Sequence, residues 1–338
     1  MYLEPLSNAV GVSGAEEEVR QIIRDALGDH VDEMREDALG NLLVLKRGTG
    51  PEPRPRVMLA AHMDEVGMMV VGYTGDGGLK FRAVGGLDAR VLAGAQVQVG
   101  PDHIPGVIGL KPIHLLERDE RERIPKIENL VIEIGASSKD EAKKAVRLGE
   151  RATFLTRYQE LGPTVTGKAF DDRAGCAVLI ELLQGEPLPF DLYGAFTVQE
   201  EVGLRGARVA AYAIEPDAAF VLEGTIADDL PRKEDVSPTT ALGKGPAITV
   251  MDRSFIADKR LLRLLFDTAE ALGIPTQIKQ PGIGGTDAGA IHITREGIPS
   301  AAVSVPCRYI HSPVAMLNLT DFQQTVRLMR AALERWTP

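Results

Sequence analysis

LAAHMDEVGMMV, residues 59–70, is an apolar run that turns polar where a strand should end. With the residues before it the run reads VMLAA, a buried strand, followed at once by His62, Asp64 and Glu65. A strand end meeting water explains such a change. So does a strand that delivers a metal ligand and its helper to a site. The remaining strands decide between the two, because in open α/β sheets ligands bind beyond the carboxyl ends of the strands.

Toward the N-terminus, VSGAEEEVRQIIRDALG opens with Ser13 and Glu16 at capping-box spacing. Val19, Ile22, Ile23 and Ala26 then recur at helical intervals, and Gly28 fits a stop. GNLLVLKRG reads as a strand and RGTGPEPRPR as a turn-rich connection. Between residues 68 and 164 the texture changes to short strand-like pieces with frequent glycines: VLAGAQVQVG, GVIGLKP and LVIEIG. GDGG (75–78) reads as a hairpin turn, SKDEAKKAVRLG as a helix, and HLLERDERERIPK as an exposed mixed-charge loop.

Strands and helices alternate again from residue 165. DDRAGCAVLIELLQG suits a helix; DLYGAFTV, DAAFVLEG and SAAVSVP suit strands. DKRLLRLLFDTAEALGIP is an amphipathic helix stopped by Gly273 and Pro275, and Thr320 with Gln323 has capping-box spacing at the start of the last helix. The expectation is an α/β fold, a mixed sheet with helices on both faces, formed by residues 1–67 plus 165–338 and interrupted by a mainly β insertion over 68–164.

The formal charge of −10 excludes nucleic acid and anionic membranes as partners for the chain as a whole. An aromatic content of 5% argues against a surface built to stack bases or sugars. Cys176 and Cys307 lie far apart and form no CxxC pattern, so a reducing compartment is expected. With no apolar run long enough for a bilayer and no secretory signal pattern, the expected location is cytoplasmic.

Each central strand is followed by a group that can bind a cation. VMLAA leads to His62 and Asp64, GAFTVQEEVG to Glu200 and Glu201, AAFVLEG to Glu223, and SAAVSVPCRYIHSP to His311. GKAFDDRAG adds Asp171 and Asp172 at the start of a helix. Two histidines and three carboxylates hold two divalent ions if one carboxylate bridges them, at the spacing of about 3.5–4 Å usual for paired ions. Imidazole with carboxylate suits zinc, cobalt or manganese. A further carboxylate must then move the proton of the attacking water to the leaving amine. Glu200 and Glu201 are neighbours, and successive strand residues face opposite ways, so both reach one site only if the chain leaves extended geometry there. His30, His103 and His292 have no partners at ligand spacing, His114 in KPIHLLER is not read as catalytic, and Glu65 reads as structural or electrostatic.

These segments, GVSGAEEEVR, AAHMDEVG, GKAFDDRAG, VQEEVGLRGA, GGTDAG and RYIHSP in order, resemble metallopeptidase family 42, the dinuclear-metal aminopeptidases that include the tetrahedral TET enzymes. The resemblance implies a phosphorylase/hydrolase-like three-layer αβα catalytic domain carrying an inserted PDZ-like dimerisation domain. It implies two divalent ions per subunit, zinc first and cobalt or manganese next, and assembly of dimers into a tetrahedral dodecamer. His62, Asp171, Glu201, Glu223 and His311 would be the metal ligands, with Asp171 favoured over Asp172 as the bridge and a cis peptide between those two. Glu200 would be the general base, Asp64 would orient His62, and Thr286 and Asp287 would stand near the peptide's N-terminus. Glu223 departs from the aspartate common in relatives and is one methylene longer. Short peptides are the implied substrates. A deacylase or carboxypeptidase-type enzyme is the alternative on the same metal site, and glycoside hydrolysis ranks far behind. The preferred N-terminal residue is not legible.

Overall fold

The computed structural model describes residues 1–230 and 240–338. In chain order the strands are β1 Glu33–Glu36, β2 Leu42–Lys46, β3 Arg56–His62, β4 Gly67–Tyr73, β5 Leu79–Val84, β6 Gln96–Val99, β7 Ile104–Gly109, β8 Val131–Glu133, β9 Arg151–Phe154, β10 Gln159–Leu161, β11 Thr164–Gly167, β12 Asp191–Thr197, β13 Ala218–Ile226, β14 Ala247–Thr249, β15 Gln277–Ile278, β16 Ser300–Arg308 and β17 Ala315–Asn318. The helices are α1 Leu3–Asn8, α2 Glu17–Leu27, α3 Arg118–Arg121, α4 Lys139–Ala145, α5 Phe170–Leu183, α6 Arg205–Ile214, α7 Lys259–Leu272, α8 Ala288–Ile291 and α9 Leu319–Arg335.

Eleven strands form one mixed sheet in the order β1-β2-β12-β3-β13-β16-β17-β11-β10, with β14 beside β16 and β15 beside β14. The four central strands β12, β3, β13 and β16 are mutually parallel, so their carboxyl ends share one edge. Alternation along each strand shows why the sheet is covered twice. Val57, Leu59 and Ala61 of β3 enter one core, whereas Met58 and Ala60 enter the other. β13 divides likewise, with Phe220 and Leu222 on one face and Ala219 and Val221 on the other. The first core is closed by α1, α2, α5, α7 and α9, the second by α6 and α8. Buried on both faces, such strands read as unbroken apolar runs.

Between β3 and β10 the chain leaves the sheet and closes a separate six-stranded barrel, β4-β5-β8-β7-β6-β9, around Phe81, Ile132, Phe154 and their neighbours. Gln159–Leu161 and Thr164–Gly167 are already back in the large sheet, pairing with each other and with β17.

Two expected helix caps fall elsewhere. Ser13 caps nothing: α2 begins at Glu17, and the Ser13 hydroxyl donates to Asp64 instead. The last helix is capped by the Asn318 side chain, which accepts from the Thr320 N–H, so its start precedes the Thr320–Gln323 pair. The stop at Gly273 is a left-handed C-cap with φ 62°, a conformation glycine adopts without strain.

Candidate active site

His62 is the last residue of β3, and Thr197, in register beside it, is the last of β12. Two residues on, Gln199 is left-handed (φ 57°), which breaks the alternation and turns both Glu200 and Glu201 toward His62. β13 supplies Glu223, and Gly224 lets that strand pass close to α5: a Cβ there would stand 2.9 Å from the Asp171 Cα. His311 lies three residues past β16, left-handed itself (φ 59°) after Tyr309 (φ 60°). Ala169, just before Phe170, is left-handed too (φ 56°), and the Asp171–Asp172 peptide is cis. Left-handed residues with a Cβ cost about 1–2 kcal/mol each, so they persist where surrounding contacts fix them.

These segments converge. His62 Nε2 stands 3.2 Å from Asp171 Oδ1, 3.6 Å from Glu223 Oε2 and 4.0 Å from Glu200 Oε2. His311 Nε2 stands 3.4 Å from Asp171 Oδ2 and 3.3 Å from Glu201 Oε1. Asp171 therefore shows one oxygen to each imidazole. Asp172 faces away into the protein, where its carboxylate accepts the His62 backbone N–H (3.1 Å) and the Gly175 N–H (2.9 Å). His62, Asp172 and Glu223 also lie close enough to hold an ion, as do His62, Asp171 and Glu201.

Asp64 is fully buried and ties the two halves of the site. One of its oxygens lies 3.5 Å from His62 Nδ1 and accepts the Glu200 N–H; the other accepts the Glu201 N–H and the Ser13 hydroxyl, at 3.2 and 2.6 Å. The shortest contact of His62 Nδ1 is to the backbone carbonyl of Asp64, at 3.0 Å. On the other side, His311 Nδ1 is 3.0 Å from the carbonyl of Gly86, in the loop leaving barrel strand β5.

Six carboxyls, those of Asp64, Asp171, Asp172, Glu200, Glu201 and Glu223, meet two imidazoles here, and the charges are strained accordingly. Burial pushes Glu200 and Glu223 well above the usual carboxyl range, with Asp287 adding to the first and Asp172 to the second. Burial and Asp171 raise Glu201 to about 7. Burial opposes charge on His62, yet Asp171 and Asp64 outweigh it and hold the ring well above its ordinary value. His311 is held at about 9 against its own burial, chiefly by Asp171. Glu223 Oε1 is buried with no hydrogen-bond partner, an arrangement costly for a carboxyl unless a cation completes it. The donor set and this unpartnered oxygen fit divalent ions.

Other expected residues sort clearly. Thr286 lines the cavity beside the cluster, whereas Asp287 does not: it is wholly buried and accepts a short hydrogen bond from the Thr197 hydroxyl, so its influence reaches Glu200 through charge alone. Glu65 lies under the site as a buried anion held by Lys168 (2.7 Å), Arg173 (3.1 Å) and Thr153 (2.7 Å). Those two cations flank Asp171 and Asp172 in sequence, so Glu65 anchors the segment that carries them. His103 pairs with Glu18, and His292 bonds its own helix at Ala288, both apart from the cluster. Sequence reading missed Ser13, Lys168 and the Gly86 carbonyl.

The cluster opens into a cavity of about 520 Å³, walled further by Leu204, Ile226, Ile283 and Ile310. That volume suits a short peptide end rather than a folded chain.

The profile of the M42 glutamyl aminopeptidase family matches residues 40–328. The lysyl aminopeptidase of Pyrococcus furiosus is 34% identical over 346 residues, 99% of this chain and 97% of that protein. Among solved structures, a TET aminopeptidase from a marine sediment Thaumarchaeota archaeon superposes with a TM-score of 0.94 at 38% identity, covering 98% of this chain and 95% of the other. The TET1 peptidase of Pyrococcus horikoshii, which can assemble into a tetrahedron or a large octahedral shell, gives 0.88 at 38% identity, covering 99% and 98%.

Proposed function

The chain belongs to the M42 glutamyl aminopeptidase family, and from that premise we propose how its own residues release the N-terminal residue of a short peptide. It is an aminopeptidase, a hydrolase of peptide bonds. The observation that carries the mechanistic reading is the Asp171 carboxylate, turned with one oxygen toward His62 and the other toward His311, with Glu200 alongside.

His62, Asp171 and Glu223 would hold one divalent ion, and Asp171, Glu201 and His311 a second. Zinc suits this thiol-free donor set, with cobalt and manganese next. Such ions supply Lewis acidity toward the scissile carbonyl and make water more acidic. The protein does the rest. The carboxylates of the cavity attract the substrate's free α-amine. Glu200 takes the proton of the attacking water on its carboxylate and returns it to the departing amine. Its carboxylate, buried beside His62, is placed both to accept that proton and to return it. Asp64 keeps His62 oriented and, through the Glu200 N–H, fixes the base against it. Thr286 borders the same space.

The large sheet with its helices acts as the catalytic unit and the barrel, β4 to β9, as an inserted, PDZ-like module that mediates assembly; the boundary expected at 164 moves back to the end of β9 at Phe154, because β10 and β11 pair within the large sheet. Ile113, Leu115 and Ile124 on that insert are 63–66% exposed, an apolar surface suited to a second copy. By likeness to the TET structures we read the assembly as a tetrahedral dodecamer in the cytoplasm; light scattering that gives a monomer contradicts it. No helix among the described residues is long and apolar enough to cross a membrane. The activity test uses one peptide with a free and with an acetylated N-terminus. The free form is cleaved; cleavage of the blocked form alone overturns the reading.

A further inference from the structure

A cation stands in the same cavity as the acidic cluster. Lys279 follows β15 directly, and its backbone N–H bonds the Ile248 carbonyl, which fixes the start of the side chain. The residue is only 8% exposed, yet it lines the cavity. Its Nζ lies against the glycine-rich loop, 3.8 Å from where a Gly284 Cβ would stand. Among the described residues this ammonium has no hydrogen bond and no ion pair, and none of the cluster's carboxylates comes within 4.0 Å of it.

An ammonium seated on a buried stem without a partner adds nothing to stability that an apolar residue would not add better. Nor does Lys279 neutralise the catalytic carboxylates, since it touches none of them. It stands where a bound peptide displaces water, beside glycines that leave room and the apolar Ile226 and Ile283 that can pack a short aliphatic stem.

We propose that Lys279 determines specificity by pairing with a carboxylate of the bound peptide. This rests on the aminopeptidase reading above. The carboxylate has two sources, the side chain of an N-terminal aspartate or glutamate, or the terminal carboxylate of a dipeptide. Either pairing is a charge-assisted hydrogen bond in a partly dehydrated place.

The test compares the enzyme as it exists with its K279M and K279R variants through two ratios of kcat/KM. Glutamyl against leucyl p-nitroanilide reports the first source; leucyl-glycine against leucyl-glycinamide reports the second. Ratios within one enzyme cancel any general loss of activity. K279M lowers one ratio by about tenfold or more, the size expected for losing a bond to a charged group, and K279R retains most of it. The ratio that falls identifies the source. If both ratios in K279M stay within about twofold of the parent's while leucyl p-nitroanilide is still cleaved, the assignment of Lys279 is overturned and the aminopeptidase stands. If no enzyme cleaves any free-amine substrate, the aminopeptidase reading falls and this inference with it.

Discussion

The two halves of the cation cluster are built differently. The inner half, His62 with Glu223, sits on central strands, and these side chains are 2% and 5% exposed. The outer half, His311 with Glu201, sits on left-handed loop residues or beside them, and the His311 side chain is 36% exposed. Each ring's Nδ1 meets a backbone carbonyl at 3.0 Å, His62 that of Asp64 just past its own strand and His311 that of Gly86 beside the barrel; only His62 also has a carboxylate, that of Asp64, at 3.5 Å. The same ligand types thus occupy a rigid place and an adjustable one. Sites on regular elements are more exact than sites on loops, so of the two ions proposed above the inner should be held the more tightly and the outer should exchange the more readily.

The strongest way to break this contrast is to remove the group that serves both halves. Glu200→Gln keeps every ligand in both and is expected to lower kcat by about 10²–10⁴-fold, the range for a lost acid–base group, with two metal equivalents still bound. Elemental analysis and steady-state kinetics read both; an active variant sinks the proton role. Next come the two histidines compared. His62→Ala should lose the inner ion and lower the melting temperature in metal-free buffer, because it empties a fully buried place. His311→Ala should lose only the outer equivalent, with melting little changed. Equal metal loss from both variants would erase the distinction.

The smallest effect concerns the support beneath the inner half. Burial pushes Glu16 up to about 7, with its oxygen accepting the Gly14 N–H and the Asp64 charge nearby. The folded state therefore keeps a proton that the unfolded chain has released above its ordinary value of 4.5, and stability falls as pH rises between 4.5 and about 7. Glu16→Gln removes that fall, by at most about 3 kcal/mol. Calorimetry at pH 5 and pH 8 checks it: the variant should gain on the parent only at the higher pH.

The sequence disclosed the inner half more readily than its supports. An apolar run that meets His62 or Glu223 marks a strand carrying a candidate ligand, because the sheet is buried on both faces and a polar residue there stands out. Glu200 and Glu201 were legible as a pair, but only a left-handed Gln199 explains how both turn inward, and no residue type announces that. Ser13 shows the limit from the other side. Its spacing to Glu16 matches a helix cap, yet a buried aspartate far along the chain competes for the hydroxyl and wins. Lys168 and Arg173, whose residue types announce no burial, are buried because Glu65, adjacent to Asp64, offers them a partner. Asp287 kept the expected neighbourhood but not the expected contact, since α8 turns it behind the cavity wall toward Thr197. The short strands β10, β11 and β17 carry too few residues for alternation to show.

The Gly86 carbonyl ties a ring on one folding unit to the backbone of another. Whatever free energy this contact couples between the seating of the barrel and the orientation of His311 acts equally in both directions. The barrel thereby touches, through one oxygen atom, a ring of the acidic cluster.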